Sequence, residues 1–330
     1  MNDNRMFASV LGPTIAQYIS LKQALGRDYD AERRILASLD TFLTAEKADL
    51  TADIFAHWCQ TQEHLTSGVR LRRMRVVRDL TLYRRRREPS CFVPDPLLFP
   101  LRHQPVQPYI FTHGEIAGLI QQAEVMLPSR DCPLRPEVFN LGITLLYTTG
   151  LRRGELLRMT IGDYDQREGV LIVRESKFHK SRLLPLSCHG IERLDRYLRA
   201  RRARRLPVSP EIPLIWNAVN GERAYTGAGF REVIRHLVDA AGIRKPNGHR
   251  PRIHDFRHTF AVHALLRWYQ AGENVQAKLP LLATYMGHVN IASTQYYLKF
   301  TEPLANSASE RFASRYASMI VPIPVLGGDQ

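Results

Sequence analysis

The chain has 330 residues, of which 46 are lysine or arginine and 32 are aspartate or glutamate, so its formal charge is +14 at pH 7. This length is enough for about two domains with cores of their own. The positive surplus favours a polyanionic partner, nucleic acid before any other, although a basic surface also occurs without one. The chain shows neither a signal-peptide pattern nor an apolar run near the roughly 20 residues that span a bilayer. We therefore expect a cytoplasmic protein that does not contact membranes.

Apolar residues at helical spacing predict three helices in the first 90 residues, within residues 15–25, 35–43 and 69–87. The third carries nine arginines, opposed only by Asp79. A charge run is usually a solvated helix face, but this density favours a helix that contacts nucleic-acid phosphates. The predicted contact residues are Arg70, Arg72, Arg73, Arg75, Arg78, Arg84 and Arg85.

Six prolines punctuate residues 88–108 and are incompatible there with helix or regular sheet. We interpret this segment as an extended linker at the end of a first domain, residues 1–108, followed by a second domain, residues 109–330. A surface loop within a single domain is the alternative.

The second domain is predicted to be mostly helical with one small antiparallel sheet. Thr112 and Glu115 form a capping box ahead of a helix over residues 114–126, and another helix covers 136–148. Two short segments rich in apolar residues, 170–173 and 182–186, are predicted to be the two strands of a hairpin. Further helices are predicted near 189–205, 227–241, 255–270, 276–286 and 291–298. The basic run at 199–205 is either a phosphate contact or a solvated helix end.

Four short motifs in this domain suit one chemistry: Gly150-Leu151-Arg152, His254-Asp255-Phe256-Arg257, Met286-Gly287-His288 and Tyr297. A tyrosine attacks a phosphodiester only where cations hold the phosphate and neutralise its developing charge. Arginine donates in a fork to phosphate oxygens. His254 and Arg257 stand three apart on a predicted helix, so both can reach one phosphate. Two arginines, two histidines and a tyrosine would form such a site without metal.

His258 invites a metal interpretation, because it stands four residues after His254 and paired histidines bind zinc on helices. The glutamate of a His-Glu-x-x-His motif is absent, and Arg257 would repel the ion. The four cysteines are scattered and form no CxxC pair. We expect no cofactor and assign His258 to packing or hydrogen bonding.

Taken together and in this order, the motifs resemble the tyrosine recombinases, or phage integrase family, from near residue 110 to near residue 300. The resemblance implies a mainly α fold, in which an N-terminal helical DNA-binding domain and a mostly helical catalytic domain form a C-shaped clamp around duplex DNA. It implies that Glu155 holds the arginines in place. The catalytic residues that it implies are Arg152, Lys177, His254, Arg257, His288 and Tyr297.

Two of these assignments have adjacent rivals. Arg153 competes with Arg152, and the Gly-Leu-Arg register favours Arg152. Tyr296 competes with Tyr297, and the family spacing of nine residues from His288 favours Tyr297.

The hairpin lysine is less well defined. In the family a lysine here reaches the minor groove and protonates the leaving 5′ oxygen, a role that falls to Lys177 or to Lys180. Phe178 departs from the glycine-flanked pattern. Residues 268–278 lengthen the interval between Arg257 and His288, as an insertion would.

The resemblance implies site-specific DNA recombination through a 3′-phosphotyrosyl intermediate, with duplex DNA and a homotetramer on that DNA as partners, near the bacterial nucleoid. Three other hypotheses are a type IB topoisomerase, a catalytically inactive DNA-binding protein and a metallohydrolase. The tail adds a predicted helix at 305–319 and an apolar segment at 320–326. Family members commonly pass this segment to a neighbouring protomer.

Overall fold

The structure is a computed structural model that describes residues 7–100, 107–176, 180–218, 223–288 and 290–299. The chain divides into two compact units, Met1–Val106 and Gln107–Gln330. The predicted tail helix at 305–319 and the apolar segment at 320–326 lie outside the described residues.

The first unit is a bundle of short helices. Its helices are α1 (Gly12–Ala24), α2 (Asp30–Glu46), α3 (Ala52–Gln60) and α4 (Ser67–Arg84). Each amphipathic helix turns its apolar stripe inward, and Leu36, Leu39, Trp58 and Val77 are almost fully buried. Thr51 caps α3 by accepting a hydrogen bond from the Ile54 N–H.

The proline-rich segment remains part of this unit as far as it is described. Its described part holds one 3-10 turn, Pro96–Leu98, and no α-helix. Phe92 and Phe99 pack 5.9 and 6.5 Å from the ring of Phe55, and Phe99 is 7% exposed. These two aromatic side chains therefore pack on the bundle, because they gain by burial, whereas residues 95–98 between them are exposed.

The second unit is built around α6 (Arg135–Thr149), which is buried at every position from Val138 to Leu146. A helix that is apolar on all sides belongs at the centre of a fold. Around it lie α5 (His113–Glu124), α7 (Arg153–Arg158), α8 (Cys188–Ala203), α9 (Gly227–Ala240), α10 (Ile253–Gln270), α11 (Val275–Met286) and α12 (Ala292–Gln295). The capping box of Thr112 and Glu115 is confirmed at the start of α5.

The sheet has three antiparallel strands in the order β1 (Tyr164–Asp165), β2 (Val170–Ser176) and β3 (Lys180–Pro185). Leu171 pairs with Leu184 and Val173 with Arg182, followed by an irregularity before Ser176 pairs with Lys180. A second pair, β4 (Trp216–Asn217) and β5 (Arg223–Ala224), had no signal in the alternation pattern because its strands are two residues long. A mainly α fold with small antiparallel sheets is confirmed.

The prediction of one helix over 291–298 is wrong. α12 ends at Gln295, and a 3-10 turn, Tyr296–Lys299, follows it. The tighter turn brings Tyr297 into the core while the neighbouring Tyr296 is half-buried. Residues 268–278, interpreted as an insertion, form the end of α10 and the start of α11.

The basic run at 199–205 contains a residue that fits neither of the two interpretations. Arg201 is fully buried. It donates to the hydroxyl of Tyr197 at 2.9 Å and, through Nε, to the carbonyl of Pro207 at 2.9 Å, and it lies 4.8 Å from the ring of Trp216. This arginine is a packing residue. Within the described part of the chain no helix has the length and apolar character needed to cross a membrane.

Candidate active site

Two glycines end helices and turn the chain toward one point of the second unit. Gly150 ends α6 with φ +63°, and Gly287 ends α11 with φ +68°, a left-handed conformation that glycine adopts without a Cβ penalty. A Cβ on Gly150 would stand 2.5 Å from the ring of Phe260. Arg152 follows the first turn and His288 the second.

Glu155 holds two arginines at once. Its oxygens accept from Nη1 of Arg152 at 2.8 Å and from both terminal nitrogens of Arg182 at 3.1 and 2.9 Å. Burial raises the pKa of Glu155, but the hydrogen bonds from Arg182 and Arg152 outweigh it and lower the pKa to about 2. The carboxylate is therefore ionised at neutral pH and accepts hydrogen bonds from both arginines.

Three arginines donate to three consecutive carbonyls at the end of α11. Arg182 Nε donates to Tyr285 at 2.9 Å, Arg257 Nη2 to Met286 at 2.7 Å, and Arg152 Nη2 to Gly287 at 3.0 Å. The last carbonyls of a helix have no partner within it and carry the negative end of its dipole. These carbonyls therefore collect the three cations around the turn that leads to His288.

Arg257 is the most deeply buried of the three, with 1% of its surface exposed. Nη1 donates to the carbonyl of Gly150 at 2.6 Å, so this arginine ties the two glycine turns together. Burial, with the nearby charge of Arg152, lowers its pKa to about 10. The guanidinium therefore keeps its charge at pH 7, held in place by backbone oxygens.

Tyr297 lies beside Arg257 and between histidine rings. Its ring stacks on that of His288 at 6.1 Å and meets that of His258 at 5.4 Å. The phenol is 3% exposed. Burial raises its pKa, and the charge of Arg257 and a hydrogen bond from it oppose that rise. The tyrosine is therefore a neutral phenol, and the adjacent Arg257 would stabilise its deprotonated form.

The histidines around this tyrosine are uncharged at neutral pH. Burial, reinforced by the charges of Arg257 and Arg152, lowers the pKa of His288 to about 4. Its Nδ1 lies 2.7 Å from the hydroxyl of Thr294, which fixes the ring. A neutral imidazole can both donate and accept a proton.

His258 and His254 lie on α10 with their rings 4.7 Å apart and nearly perpendicular. His258 is buried, which with the neighbouring His254 lowers its pKa to about 4, and its Nδ1 has no hydrogen-bond partner among the described residues. Over the same residues, no three His, Cys, Asp or Glu side chains lie close enough to hold a metal ion.

Five of the predicted catalytic residues, together with Glu155, thus stand in one neighbourhood formed by α7, α10, the end of α11 and the turn after α12. Arg153 does not join Arg152, since its guanidinium lies against Gly227 at the start of α9. Lys177 lies outside the described residues, and Lys180 is the first residue of β3. Arg182 belongs to the cluster and was not predicted.

The arginine-rich helix α4 uses several of its arginines inside the first unit. Arg84 donates hydrogen bonds to both carboxylate oxygens of Asp49 at 2.6 and 2.7 Å, and Arg72 forms an ion pair with Glu32 at 2.6 Å. Arg78 donates to the carbonyl of Pro94 and Arg73 to Ser38. Arg70 is half-buried, whereas Arg75 and Arg85 are exposed.

The sequence profile of the phage integrase family matches residues 111–302. The chain is 31% identical to y4rB of Sinorhizobium fredii, whose name describes an integrase/recombinase, over 93% of this chain and 98% of that protein. It is 34% identical to the tyrosine recombinase XerD of Pseudomonas putida over 47% of each chain.

Solved structures share the fold. The Tn1549 transposon integrase in complex with transposon right end DNA matches with a TM-score of 0.64 at 17% identity, over 92% of this chain and 98% of that chain. A lambda integrase dimer bound to a core site matches with a TM-score of 0.59 at 15% identity, over 86% and 94%. The profile match spans more than half of the sequence and the y4rB match nearly all of it. The chain therefore belongs to the phage integrase family and is an enzyme of the tyrosine-recombinase type.

Proposed function

We propose that this recombinase breaks and rejoins duplex DNA at a specific site through a 3′-phosphotyrosyl intermediate. The Oη of Tyr297 bonds to the scissile phosphorus, and the bond from phosphorus to the 5′ oxygen breaks. That oxygen leaves as a hydroxyl, with Lys177 as the proposed proton donor. His254 donates to a nonbridging oxygen or takes up the phenol proton. A 5′ hydroxyl from a partner duplex then attacks the same phosphorus and releases Tyr297.

The observation that carries this proposal is the position of Tyr297 against Arg257 and His288, with Arg152 bonded to the same turn. A phosphoryl transition state carries charge on its nonbridging oxygens, and fixed cations are the main means of stabilising it. The arginines are held by a carboxylate and by carbonyls before any substrate arrives, so their charges are gathered in advance around the turn that leads to His288. The ester energy is kept in the tyrosyl link, so we propose that neither ATP nor a metal is required.

DNA as the partner is supported by the basic surface beside this site. A groove next to His254 is lined by Arg153, Arg231, Arg235, Arg250 and Arg252. In the first unit, Arg75 and Arg85 are exposed on or beside α4. The Tn1549 and lambda integrases were both solved with DNA. Exchange between two duplexes uses four cleavage sites, so we propose a homotetramer on DNA.

The test is covalent capture from a library of nicked duplexes with randomised centres, in excess EDTA. A nick lets the short 5′ fragment diffuse away and traps the protein–DNA link, which survives SDS. We expect the protein to enrich one sequence, called the selected duplex below. Arg152→Ala and Arg257→Ala should each slow its capture by roughly 10²-fold or more.

Three results would contradict the proposal. Binding to DNA without any covalent product would make the chain a DNA-binding protein that has lost catalysis, and a strict need for magnesium would point to another mechanism. Relaxation of supercoiled DNA with no enriched sequence would favour the topoisomerase alternative.

A further inference from the structure

Arg182 is the member of the arginine cluster that has no assigned role. Its side chain lies on β3 and is 10% exposed, against 30% for Arg152. Successive residues of a strand point to opposite faces. Arg182 accordingly shares the inward face of β3 with the buried Leu184, whereas Leu183 points outward and is 64% exposed.

All three nitrogens of the Arg182 guanidinium bind the protein itself. Both terminal nitrogens reach the Glu155 carboxylate and Nε reaches the Tyr285 carbonyl. Arg182 is therefore turned toward Glu155 and the end of α11, whereas Arg152 is the more exposed partner of the same carboxylate. Its hydrogen bonds thus join Glu155 on α7 to the end of α11 and place Arg182 to fix its neighbours.

The two partners of Arg182, Glu155 and the carbonyl of Tyr285, belong to the groups that hold Arg152 and Arg257 in place. Glu155 receives Arg152 through Nη1 and through the backbone N–H of Arg152 at 2.9 Å. Tyr285 carries the first of the three consecutive carbonyls at the end of α11. The second and third carbonyls accept hydrogen bonds from Arg257 and Arg152. Without Arg182, Glu155 would keep one cation and could follow Arg152 outward, and the turn before His288 would lose one of its three anchors.

We propose that Arg182 is a positioning residue for the recombination chemistry, which sets Arg152 at the phosphate through their shared Glu155 and fixes the His288 turn through Tyr285. The inference rests on the proposed function. It assigns Arg182 no contact with DNA. The part of its effect that passes through Arg152 should appear only where charge on the nonbridging oxygens must be neutralised.

The experiment compares Arg182→Ala and Arg182→Lys with the unmodified full-length chain on the selected duplex. Arg174→Ala is the matched control, because Arg174 also lies on this sheet and pairs with a buried carboxylate, Asp163, at 2.6 Å. Each protein is tested on two forms of the selected duplex. The first has the ordinary phosphodiester at the cleaved position, called the ordinary ester. The second has a methylphosphonate there, called the neutral ester, because it has lost the charge of one nonbridging oxygen. DNA affinity and melting temperature are measured in parallel.

We expect Arg182→Ala to slow capture of the ordinary ester by roughly 10²-fold with affinity unchanged, and to lose most of this deficit on the neutral ester. In an Arg152→Ala background the same change should add no more than a few-fold, since the two residues act as one unit. Arg182→Lys keeps the charge but cannot reach Glu155 and Tyr285 together, so it should share the deficit and show it even if the alanine variant does not fold. Arg174→Ala should behave as the unmodified chain on both esters.

Equal loss on both esters, or a full multiplicative loss on top of Arg152→Ala, would mean that Arg182 is merely structural and would overturn the inference. Unchanged capture by both Arg182 variants would overturn it as well. If the unmodified chain captures no duplex, the proposed function fails, and this inference fails with it for a visibly different reason.

Discussion

Burial disfavours the charged forms of both Arg257 and Tyr297, and neighbouring groups oppose that effect at each residue. Arg257 is 1% exposed and has lost its hydrogen bonds to water, which are replaced by hydrogen bonds to the carbonyls of Gly150 and Met286. A buried phenol resists ionisation, and the neighbouring guanidinium favours the phenolate. Burial, reinforced by the same charge, also keeps His288 neutral. The cation thus prepares both a stabilised oxyanion and an imidazole free to handle protons.

The histidines predict a stability that depends on pH. The pKa values of His258 and His288 are about 4 in the fold against 6.5 ordinarily. Between these two pH values the unfolded chain binds more protons than the folded chain. The free energy of unfolding should therefore be highest above about pH 6.5 and fall as the pH drops toward 4. Urea unfolding at pH 4.5, 5.5 and 6.5 measures it. His258→Phe should flatten the slope by up to about 1.4 kcal/mol per pH unit.

The control is the same substitution at the exposed His189, which measures what a histidine-to-phenylalanine change does at the surface. A slope that His258→Phe does not alter would show that His258 is not held neutral by the fold.

At the scale of elements, the end of α11 organises the site, and Gly287 is the position that makes this possible. A Cβ there would stand 2.9 Å from Nη1 of Arg182, on a backbone with φ +68°. Gly287→Ala should therefore lower the melting temperature and slow capture of the selected duplex, because the clash displaces Arg182 and the left-handed conformation costs about 1–2 kcal/mol.

Gly242→Ala separates the two causes. Gly242 has φ +66°, and within the described part of the chain no atom lies within 4 Å of a Cβ placed on it. It should lower stability to a similar or smaller extent and leave the capture rate unchanged. Equal capture rates for the two variants would contradict the role given to the α11 turn.

Helix α4 is both a structural helix and the proposed DNA contact, and its arginines divide between these roles. Arg75→Gln together with Arg85→Gln should flatten the plot of log affinity against log salt by about 0.9 for each lost phosphate contact. Arg84→Gln should instead lower the melting temperature, since Asp49 would lose its partner, and leave the slope alone. Titrations of duplex DNA at several salt concentrations decide, and an unchanged slope in the double variant would make those arginines solvent-facing only.

Much of the fold and the motif residues could be predicted because their signals are local. The capping box of Thr112, the stripe of α2 and the His254–Arg257 spacing each lie within a few turns of one element. The ion pair of Arg84 could not be predicted, because its partner Asp49 lies 35 residues away in sequence. Arg182 left a weak signal, a charged residue in register with the inward-facing Leu184, but only the tertiary contacts reveal Glu155 and Tyr285 as its partners.

At the scale of the whole molecule, the tail is where assembly should be decided. The segment at 320–326 is apolar, and such a segment is costly to leave in water. We expect deletion after Ala305 to leave binding to a single selected duplex intact and to abolish most recombination between two such duplexes, as counted by joined products. Normal recombination by the shortened chain would exclude a role of the tail in assembly.

The identity of the nucleophile is the central claim, and the adjacent tyrosines allow a direct test. Tyr297→Phe removes one oxygen beside Arg257, and Tyr296→Phe removes one from the neighbouring side chain. Covalent capture of the selected duplex should disappear with Tyr297→Phe while DNA binding stays at its normal affinity, and Tyr296→Phe should still form the adduct. An adduct that persists in Tyr297→Phe, or that only Tyr296→Phe abolishes, would contradict this account of the site.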